Sequence, residues 1–195
     1  MKTVSRAYDS YAQARAAVDA VEKAGVPSKD VSIVANKYVS AEYADVDDVN
    51  KTAAGAGIGG ALGAGAGLLA GLGLLAIPGI GPVVAAGWLA STAAVAAGGA
   101  AAGGIVGALV DAGTDKEHAE VYSESVRRGG TLVTARVNDA DASRIEAILA
   151  TYKPIDPVAR GSDYRKQGWT NFDPEAAPYR PNQTEVDRMR ANWPG

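Results

Sequence analysis

Ile77-Pro-Gly-Ile-Gly-Pro-Val83 lies near the middle of a run, residues 52–110, that contains no Asp, Glu, Lys or Arg. Two prolines and two glycines so close together are a strong turn signal. On either side of this turn the run consists almost entirely of Gly, Ala, Leu, Ile and Val. We therefore predict two helices, about 53–77 and 83–111, which fold back on each other as a hairpin. Its tip would be formed by Pro78, Gly79, Gly81 and Pro82.

Small residues recur every four positions in both predicted helices, which places them along one helical face. Interior glycines cost a helix about 1 kcal/mol each relative to alanine, so such helices need an apolar surface to pack against. A stripe of small residues allows this, because two backbones can then approach closely. We predict that this glycine zipper forms the helix-packing and oligomer contacts, through Gly55, Gly59, Gly63, Gly67, Gly71, Gly87, Ser91, Gly99, Gly103 and Gly107.

The residues before the uncharged run predict a strand, a helix and a second strand. The first strand covers about 3–8, and Asp9 or Ser10 is positioned to cap the following helix, which ends at Gly25. Residues 30–36 then predict the second strand. A helical crossover of this length suits two parallel strands of one small sheet.

The same pattern recurs after the run. Thr114 is a candidate cap for a helix that ends at Gly129-Gly130, residues 131–137 predict a strand, and Asp139 or Asp141 would cap a further helix. Residues 154–158 add a short edge strand, where proline is tolerated. Two strand-helix-strand units predict an α+β fold, a ferredoxin-like sheet with two helices on one face.

The helical hairpin would be inserted between the two halves of this sheet. The chain after about residue 160 is rich in Pro, Asn and charge, and it predicts an extended tail in which isolated aromatics such as Tyr164, Trp169 and Phe172 make a few local contacts. The predicted organisation is the first half with an acidic connector, the hairpin, the second half and the tail: residues 1–50, 51–112, 113–159 and 160–195.

Composition excludes several classes of function. Lys and Arg number 19 against 22 Asp and Glu, a net charge of -3, and the longest basic cluster is Arg127-Arg128, so a nucleic-acid partner is not expected. The absence of cysteine excludes disulfides, thiolate catalysis and Cys-ligated metal sites. No apolar stretch follows Met1-Lys2, so we expect a protein on the cytoplasmic side.

Three clusters can be weighed as chemical sites. Residues 55–60, GAGIGG, satisfy the dinucleotide-binding spacing, but they follow an acidic connector instead of a strand, so the zipper interpretation is preferred. Asp111, Asp115 and His118 could share a helix face as metal ligands, although Gly113 interrupts that helix. Arg127-Arg128 could bind phosphate or an acidic neighbour, with a solvated helix end as the default. We predict no catalytic residue, no metal and no cofactor.

Several segments resemble the bacterial general stress proteins of the heat-induced, YflT-type group. They are Ala7-Tyr-Asp with the helix up to Ala24-Gly25-Val26, then 30–34, the hairpin tip 77–87, Gly103–Val110, and Arg127-Arg-Gly-Gly-Thr-Leu-Val133. The resemblance spans about residues 3–155, and Trp88 stands where the pattern has proline. It implies a stress-linked bacterial protein without assigned chemistry, and no catalytic residue is carried over from it.

Three functions are compatible with these features. The first is a non-enzymatic stress protein that self-associates through the zipper hairpin, at or in the cytoplasmic face of a membrane, with lipid as a possible partner. Both flanks of the run are acidic, however, with a net charge of -3 over 42–51 and over 111–120, which anionic lipid would disfavour. The second is a soluble cytoplasmic homo-oligomer, a filament or shell with the hairpins as its dry interior. The third is a ferredoxin-like module that binds a small molecule.

Overall fold

The computed structural model of the chain describes residues 1–36, 73–77, 80–89 and 104–176. Within these ranges the chain forms one five-stranded sheet and five α-helices. The strands are β1 (Lys2–Tyr8), β2 (Val31–Asn36), β3 (Gly73–Ile77), β4 (Gly81–Gly87) and β5 (Thr131–Val137). The helices are α1 (Tyr11–Lys23), α2 (Gly104–Asp111), α3 (Lys116–Arg127), α4 (Ala142–Ala150) and α5 (Pro157–Lys166).

Neighbouring strands of the sheet are all antiparallel, in the order β1-β5-β2-β4-β3. Strand β5 lies between β1 and β2, which therefore run parallel to each other, as a helical crossover between them requires. The predicted α+β class is confirmed. The strand order is not that of a ferredoxin-like sheet, because β4 and β3 extend the sheet beyond β2.

Helices α1 and α4 cover one face of the sheet. Ser10 caps α1, its hydroxyl accepting the backbone N–H of Gln13 at 3.3 Å, as predicted. Tyr11, Ala14, Val18 and Val21 of α1, which are spaced three or four residues apart, are buried. They share an apolar cluster with β-strand residues such as Ile33 and Val133, and with Ile145 and Leu149 of α4. This half of the core follows directly from the helical periodicity of the sequence.

Helices α2 and α3 cover the opposite face. Ile105 and Leu109 of α2 and Tyr122 and Val126 of α3 form a second apolar cluster with residues of the sheet, including Leu132. The cap of α3 is Asp115, whose carboxylate accepts the N–H groups of Glu117 and His118, and not Thr114 as predicted. The described domain is thus a sheet between two helical layers. None of the described helices combines the length and the apolar composition needed to cross a membrane.

The predicted helical hairpin is wrong over residues 73–87. Ile77 pairs with Gly81, so the chain reverses direction between them as predicted, but the segments on either side are the strands β3 and β4. Strand β4 pairs with β2 over Ser32–Asn36, so this stretch belongs to the sheet. The β-branched pair Val83-Val84 and the backbone groups of β2 outweigh the four-residue glycine spacing here.

The predicted extended tail is also wrong for its first part. Ile155 makes one backbone bond to the sheet, its N–H donating to the Ala7 carbonyl at 2.7 Å, and helix α5 begins two residues later instead of a longer edge strand. Asp156 caps α5 and Pro157 occupies its first turn, a pairing that favours helix initiation. Tyr164 and Phe172 are buried. Residues 177–195 lie outside the described part of the chain.

Candidate functional site

The uncharged run meets the described domain at one end of the β3–β4 hairpin. Gly73, the first residue of β3, pairs with Ala85, and β4 ends at Gly87, so the chain enters β3 and leaves β4 at the same end. We call this end the hairpin base. It consists of Asp30, Ser32, Gly87, Trp88, Leu89 and Arg136.

Gly87 lies against the backbone of β2 at the hairpin base. Its φ of +86° is in the left-handed region, and a Cβ built on it would lie 2.0 Å from the carbonyl oxygen of Val31. No other residue type can occupy this position without moving a strand. The predicted role of Gly87 in a helical packing stripe is therefore wrong, because its small size serves a close approach of two strands.

Leu89 is fixed immediately after this glycine. Its backbone N–H donates to the hydroxyl of Ser32 over 2.9 Å, and both residues are completely buried. The Ser32 hydroxyl thus accepts a hydrogen bond from the Leu89 N–H, which lies just beyond the sheet and would otherwise be buried without a partner. The chain is held on the domain up to Leu89, at the point where the second half of the uncharged run begins.

Trp88, between Gly87 and Leu89, packs against the guanidinium of Arg136. The guanidinium of Arg136 lies 4.9 Å from the centre of the Trp88 ring and forms a 3.1 Å ion pair with Asp30. Such a cation–π contact contributes about 0.5–1 kcal/mol at a half-exposed site. Arg136 therefore connects β5, the turn before β2 and the residue after β4, and it holds Trp88 in a fixed position.

Hydroxyl groups lie in register across the sheet beside the base. Ser5 and Ser32 both pair with Thr134, so the three side chains share the face covered by α2 and α3, and all are buried. The Ser5 hydroxyl lies 3.1 Å from that of Thr114, in the link between α2 and α3. Ser5 and Ser32 therefore hold connecting segments on the sheet. Sequence reasoning missed these residues, because single Ser and Thr residues in a strand carry no pattern.

An ion cluster occupies the opposite end of the sheet, at the end of α3. The buried carboxylate of Glu124 accepts 2.7 and 2.8 Å bonds from Arg127 and a 2.6 Å bond from Arg128. The hydrogen bond to Glu124 raises the pKa of Arg127, and burial opposes that rise. The default of a solvated helix end for these arginines is wrong, since their partner is an acidic neighbour.

The same cluster holds helix α5. The Arg128 guanidinium lies 4.3 Å from the centre of the Tyr164 ring, and the Tyr164 hydroxyl lies 3.1 Å from that of Ser125. Trp169 meets the Tyr164 ring edge to face at 5.8 Å. Tyr164 and Trp169, predicted as isolated anchors of a tail, are therefore parts of one packed layer over α3. All these groups bind one another, and we assign them a structural role.

The candidate metal ligands are not assembled. Asp111 ends α2, while Asp115 caps α3 and His118 lies within it, with its ring tilted by 47° to that of Tyr122 at a centroid distance of 6.5 Å. Within the described ranges no group of three acidic or histidine side chains could hold a metal ion. The separation follows from the turn at Gly113, whose φ is +93°.

Most predicted zipper residues lie outside the described residues. These are Gly55, Gly59, Gly63, Gly67, Gly71, Ser91, Gly99 and Gly103, the tip residues Pro78 and Gly79, and the GAGIGG segment 55–60. Gly107 lies in helix α2, within the second predicted helix, whereas Gly81 and Pro82, predicted at the tip of a helical hairpin, begin strand β4.

Comparisons with known proteins add no relative. No family model, no curated protein and no solved structure matches this chain.

Proposed function

We propose that this is a non-enzymatic, self-associating protein, linked to bacterial stress as the sequence resemblance implies. In this proposal the uncharged segments 52–72 and 90–103 make contacts between copies. The observation that carries it is that both segments are joined at each end to the same domain. Asn36 and Gly73 belong to one sheet, and Leu89 and Gly104 lie in or beside one apolar cluster on its face.

This attachment favours assembly over a membrane anchor. A segment tied at both ends to one domain has to cross a bilayer twice, which takes about 20 apolar residues for each crossing. The segments contain 21 and 14 residues, 52–72 and 90–103, because 73–87 lies in the sheet and 104–111 packs on its face. Both are too short for two crossings, so of the sequence hypotheses the homo-oligomer agrees better with the geometry than the inserted hairpin.

The composition of the segments supports contact with a like surface. They contain no charge, and the glycines Gly55, Gly59, Gly63, Gly67 and Gly71 leave room for close backbone approach. Contiguous apolar surface of this kind is rarely left exposed by a monomer. A second copy offers the same small, uncharged surface in return.

The proposal includes a finer fold assignment for the domain. Strands β1, β5 and β2 with α1 and α4 on one face correspond to a ferredoxin-like unit. The Ile155–Ala7 backbone bond lies at the edge where the fourth strand of that fold would pair. The β3–β4 hairpin is then an addition at the other edge, which connects the uncharged segments to the unit.

The test compares two double variants without detergent. Gly63→Leu with Gly67→Leu should separate the packed backbones and lower the sedimentation mass, whereas Gly63→Ala with Gly67→Ala should keep it near that of the wild type. Thermal unfolding of the domain should be the same in all three proteins. A monomeric wild type would contradict the proposal. So would flotation of the wild type with phosphatidylglycerol-containing liposomes, which would favour the membrane alternative.

A further inference from the structure

Helices α4 and α5 have similar lengths but are held on the domain by different forces. Helix α4 has nine residues and contributes Ala142, Ile145 and Leu149 to the apolar cluster that it shares with α1. Of the ten residues of α5, only Gly161 and Tyr164 are buried. Isolated helices shorter than about 12–15 residues are marginal in water, so α5 depends on its contacts with the rest of the domain.

Two ion pairs join α5 to other elements. The Arg160 guanidinium donates to both carboxylate oxygens of Asp9, between β1 and α1, at 2.8 and 2.9 Å. Arg165 donates to the carboxylate of Glu117 in α3 at 2.9 Å. The carboxylate side chains of Asp9 and Glu117 are 66% and 62% exposed. Because solvent and salt ions reach both pairs, their attraction weakens as the salt concentration rises.

The contact between α5 and α3 adds polar groups around one close approach. A Cβ built on Gly161 would lie 3.0 Å from the Cγ2 atom of Val121, so the two helices meet at this glycine. Beside it, the Tyr164 hydroxyl lies 3.1 Å from that of Ser125, and the Arg128 guanidinium lies 4.3 Å from the centre of the Tyr164 ring. The only large buried side chain of α5 is therefore held by a hydroxyl and a cation.

Apolar residues anchor the chain on both sides of α5. Ile155 precedes the helix and Phe172 follows it, and both are buried in the apolar cluster that contains α2 and α3 residues. Ile155 also donates its N–H to the Ala7 carbonyl. These anchors keep the segment close to the domain if α5 loses its own contacts, so an opening of α5 would be a local event that leaves the core intact.

We infer that α5 is a latch whose closed state is controlled by ionic strength. It opens as a unit while the sheet and the other described helices stay folded, and salt increases the open fraction. The closed latch completes the burial of α3, in which residues 121–126 are all buried. The open latch uncovers one face of α3, where Glu117, Val121, Ser125 and Arg128 follow one another at intervals of three and four residues. Ionic strength thus controls access to this face.

Hydrogen–deuterium exchange of the wild-type protein tests the latch, with α4 as the reference in the same sample. Raising NaCl from about 10 mM to 1 M shortens the Debye length from about 30 Å to about 3 Å. We expect the amides of α5 to exchange faster than those of α4 at low salt, and about fivefold faster again at high salt. The amides of α4 should change by less than about twofold, because α4 is held by apolar contacts.

Two neighbouring residues of α5 provide matched variants. Arg165→Gln and Lys166→Gln each remove one positive charge from the last turn of the helix. Arg165 pairs with Glu117 of α3, whereas Lys166 pairs with Asp163 inside α5, at 2.9 Å in both cases. At low salt, Arg165→Gln should accelerate exchange in α5 about twofold to threefold and reduce its salt dependence. Lys166→Gln should leave both properties near those of the wild type.

A second variant strengthens the comparison. Arg160→Gln together with Arg165→Gln removes both ion pairs to other elements, and exchange in α5 should then be nearly independent of salt.

Three results would overturn the latch. Equal exchange of α5 and α4 at every salt concentration would mean that α5 opens only with the whole domain. Salt-independent exchange of α5 in the wild type, or equal effects of Arg165→Gln and Lys166→Gln, would show that the ion pairs to Asp9 and Glu117 do not control it. The inference does not involve contacts between copies, so a monomeric wild type would contradict the proposed self-association and leave the latch in place.

Discussion

The backbone N–H of Leu89 and the hydroxyl of Ser32 form a 2.9 Å hydrogen bond that is completely buried, although the residues are 57 positions apart. Leu89 lies just beyond β4, and Ser32 lies in β2, so the bond fixes the chain where it leaves the sheet. The hairpin base depends on such single contacts, and each can be tested by one substitution with a matched control.

Removal of the Ser32 hydroxyl should destabilise the domain. Ser32→Ala leaves the buried N–H of Leu89 without an acceptor, which costs about 1–3 kcal/mol. Urea unfolding followed by tryptophan fluorescence measures the loss. Ser143→Ala, at an exposed position of α4, should change stability by less than about 0.5 kcal/mol. Equal effects of the two substitutions would show that the hydrogen bond contributes nothing.

Two glycines with positive φ should respond very differently to alanine. Gly87→Ala brings a Cβ into the Val31 carbonyl, and we expect a loss of more than about 3 kcal/mol in the free energy of unfolding. Gly25 has a similar φ of +97°, but a Cβ added there would meet no atom within 4 Å, so Gly25→Ala should cost only about 1 kcal/mol, from the backbone alone. The same denaturation experiment checks both, and comparable losses would refute the role of close strand contact at Gly87.

The carboxylate of Glu124 should contribute much more to the free energy of unfolding than an exposed carboxylate does. Glu124→Ala leaves two partly buried guanidiniums without their partner, and we expect a loss of about 3 kcal/mol. The comparison is Glu146→Ala, whose 3.3 Å ion pair with Lys2 is exposed and should be worth less than about 1 kcal/mol. If Glu124→Ala lowers the free energy of unfolding as little as Glu146→Ala does, the Glu124 ion pairs contribute no more than exposed ion pairs.

Alkaline pH should weaken the fold through two tyrosines. Burial raises the pKa of Tyr8 and of Tyr122 above the ordinary 10.0, and the positive charge of Arg6 opposes the rise. The two tyrosines contribute their full stabilisation below about pH 10, where they are protonated in both the folded and the unfolded protein. That stabilisation is lost as the pH rises toward their pKa values in the folded protein. The slope should reach about 1.4 kcal/mol per pH unit per tyrosine.

The check is urea unfolding between pH 9 and 11.5. Tyr8→Phe should make the free energy of unfolding fall less steeply with pH, by the equivalent of up to one proton. At neutral pH the variant should lose about 1 kcal/mol of stability, because the 3.0 Å hydrogen bond from the Tyr8 hydroxyl to the Leu149 carbonyl is absent. Identical pH slopes for the variant and the wild type would exclude Tyr8 as the titrating group.

The elements that follow from local signals could be predicted closely. Helix α1 is capped by Ser10, one of the two predicted candidates, and it ends just before the predicted stop at Gly25. Strands β2 and β5 lie within about a residue of their predicted limits. In each case the periodicity, the cap and the terminator indicate the same element, so the local preferences agree with the fold.

The uncharged run could not be assigned in the same way. Glycine spacing of four residues favours a helical stripe, and within residues 73–87 nothing local outweighs it except Val83-Val84 and the turn at Pro78. Whether such a segment becomes a helix or a strand depends on which backbone groups lie opposite it. Here β2 supplied them, from a part of the chain nearly fifty residues earlier.

Residue types and short-range periodicity were enough to specify the α+β class, the order of helices and strands from β1 to β2 and from α3 to α4, and the separation of charged from uncharged chain. Three features became visible only in the folded chain: 73–77 and 81–87 join the sheet, Arg127 and Arg128 pair with a buried Glu124, and α5 packs on α3. A strand needs the backbone groups of a neighbouring strand, which here lies about fifty residues away. The ion pairs of Glu124 join residues three and four positions apart, but Tyr164 and Gln167, which contact Arg128, come from a distant part of the chain.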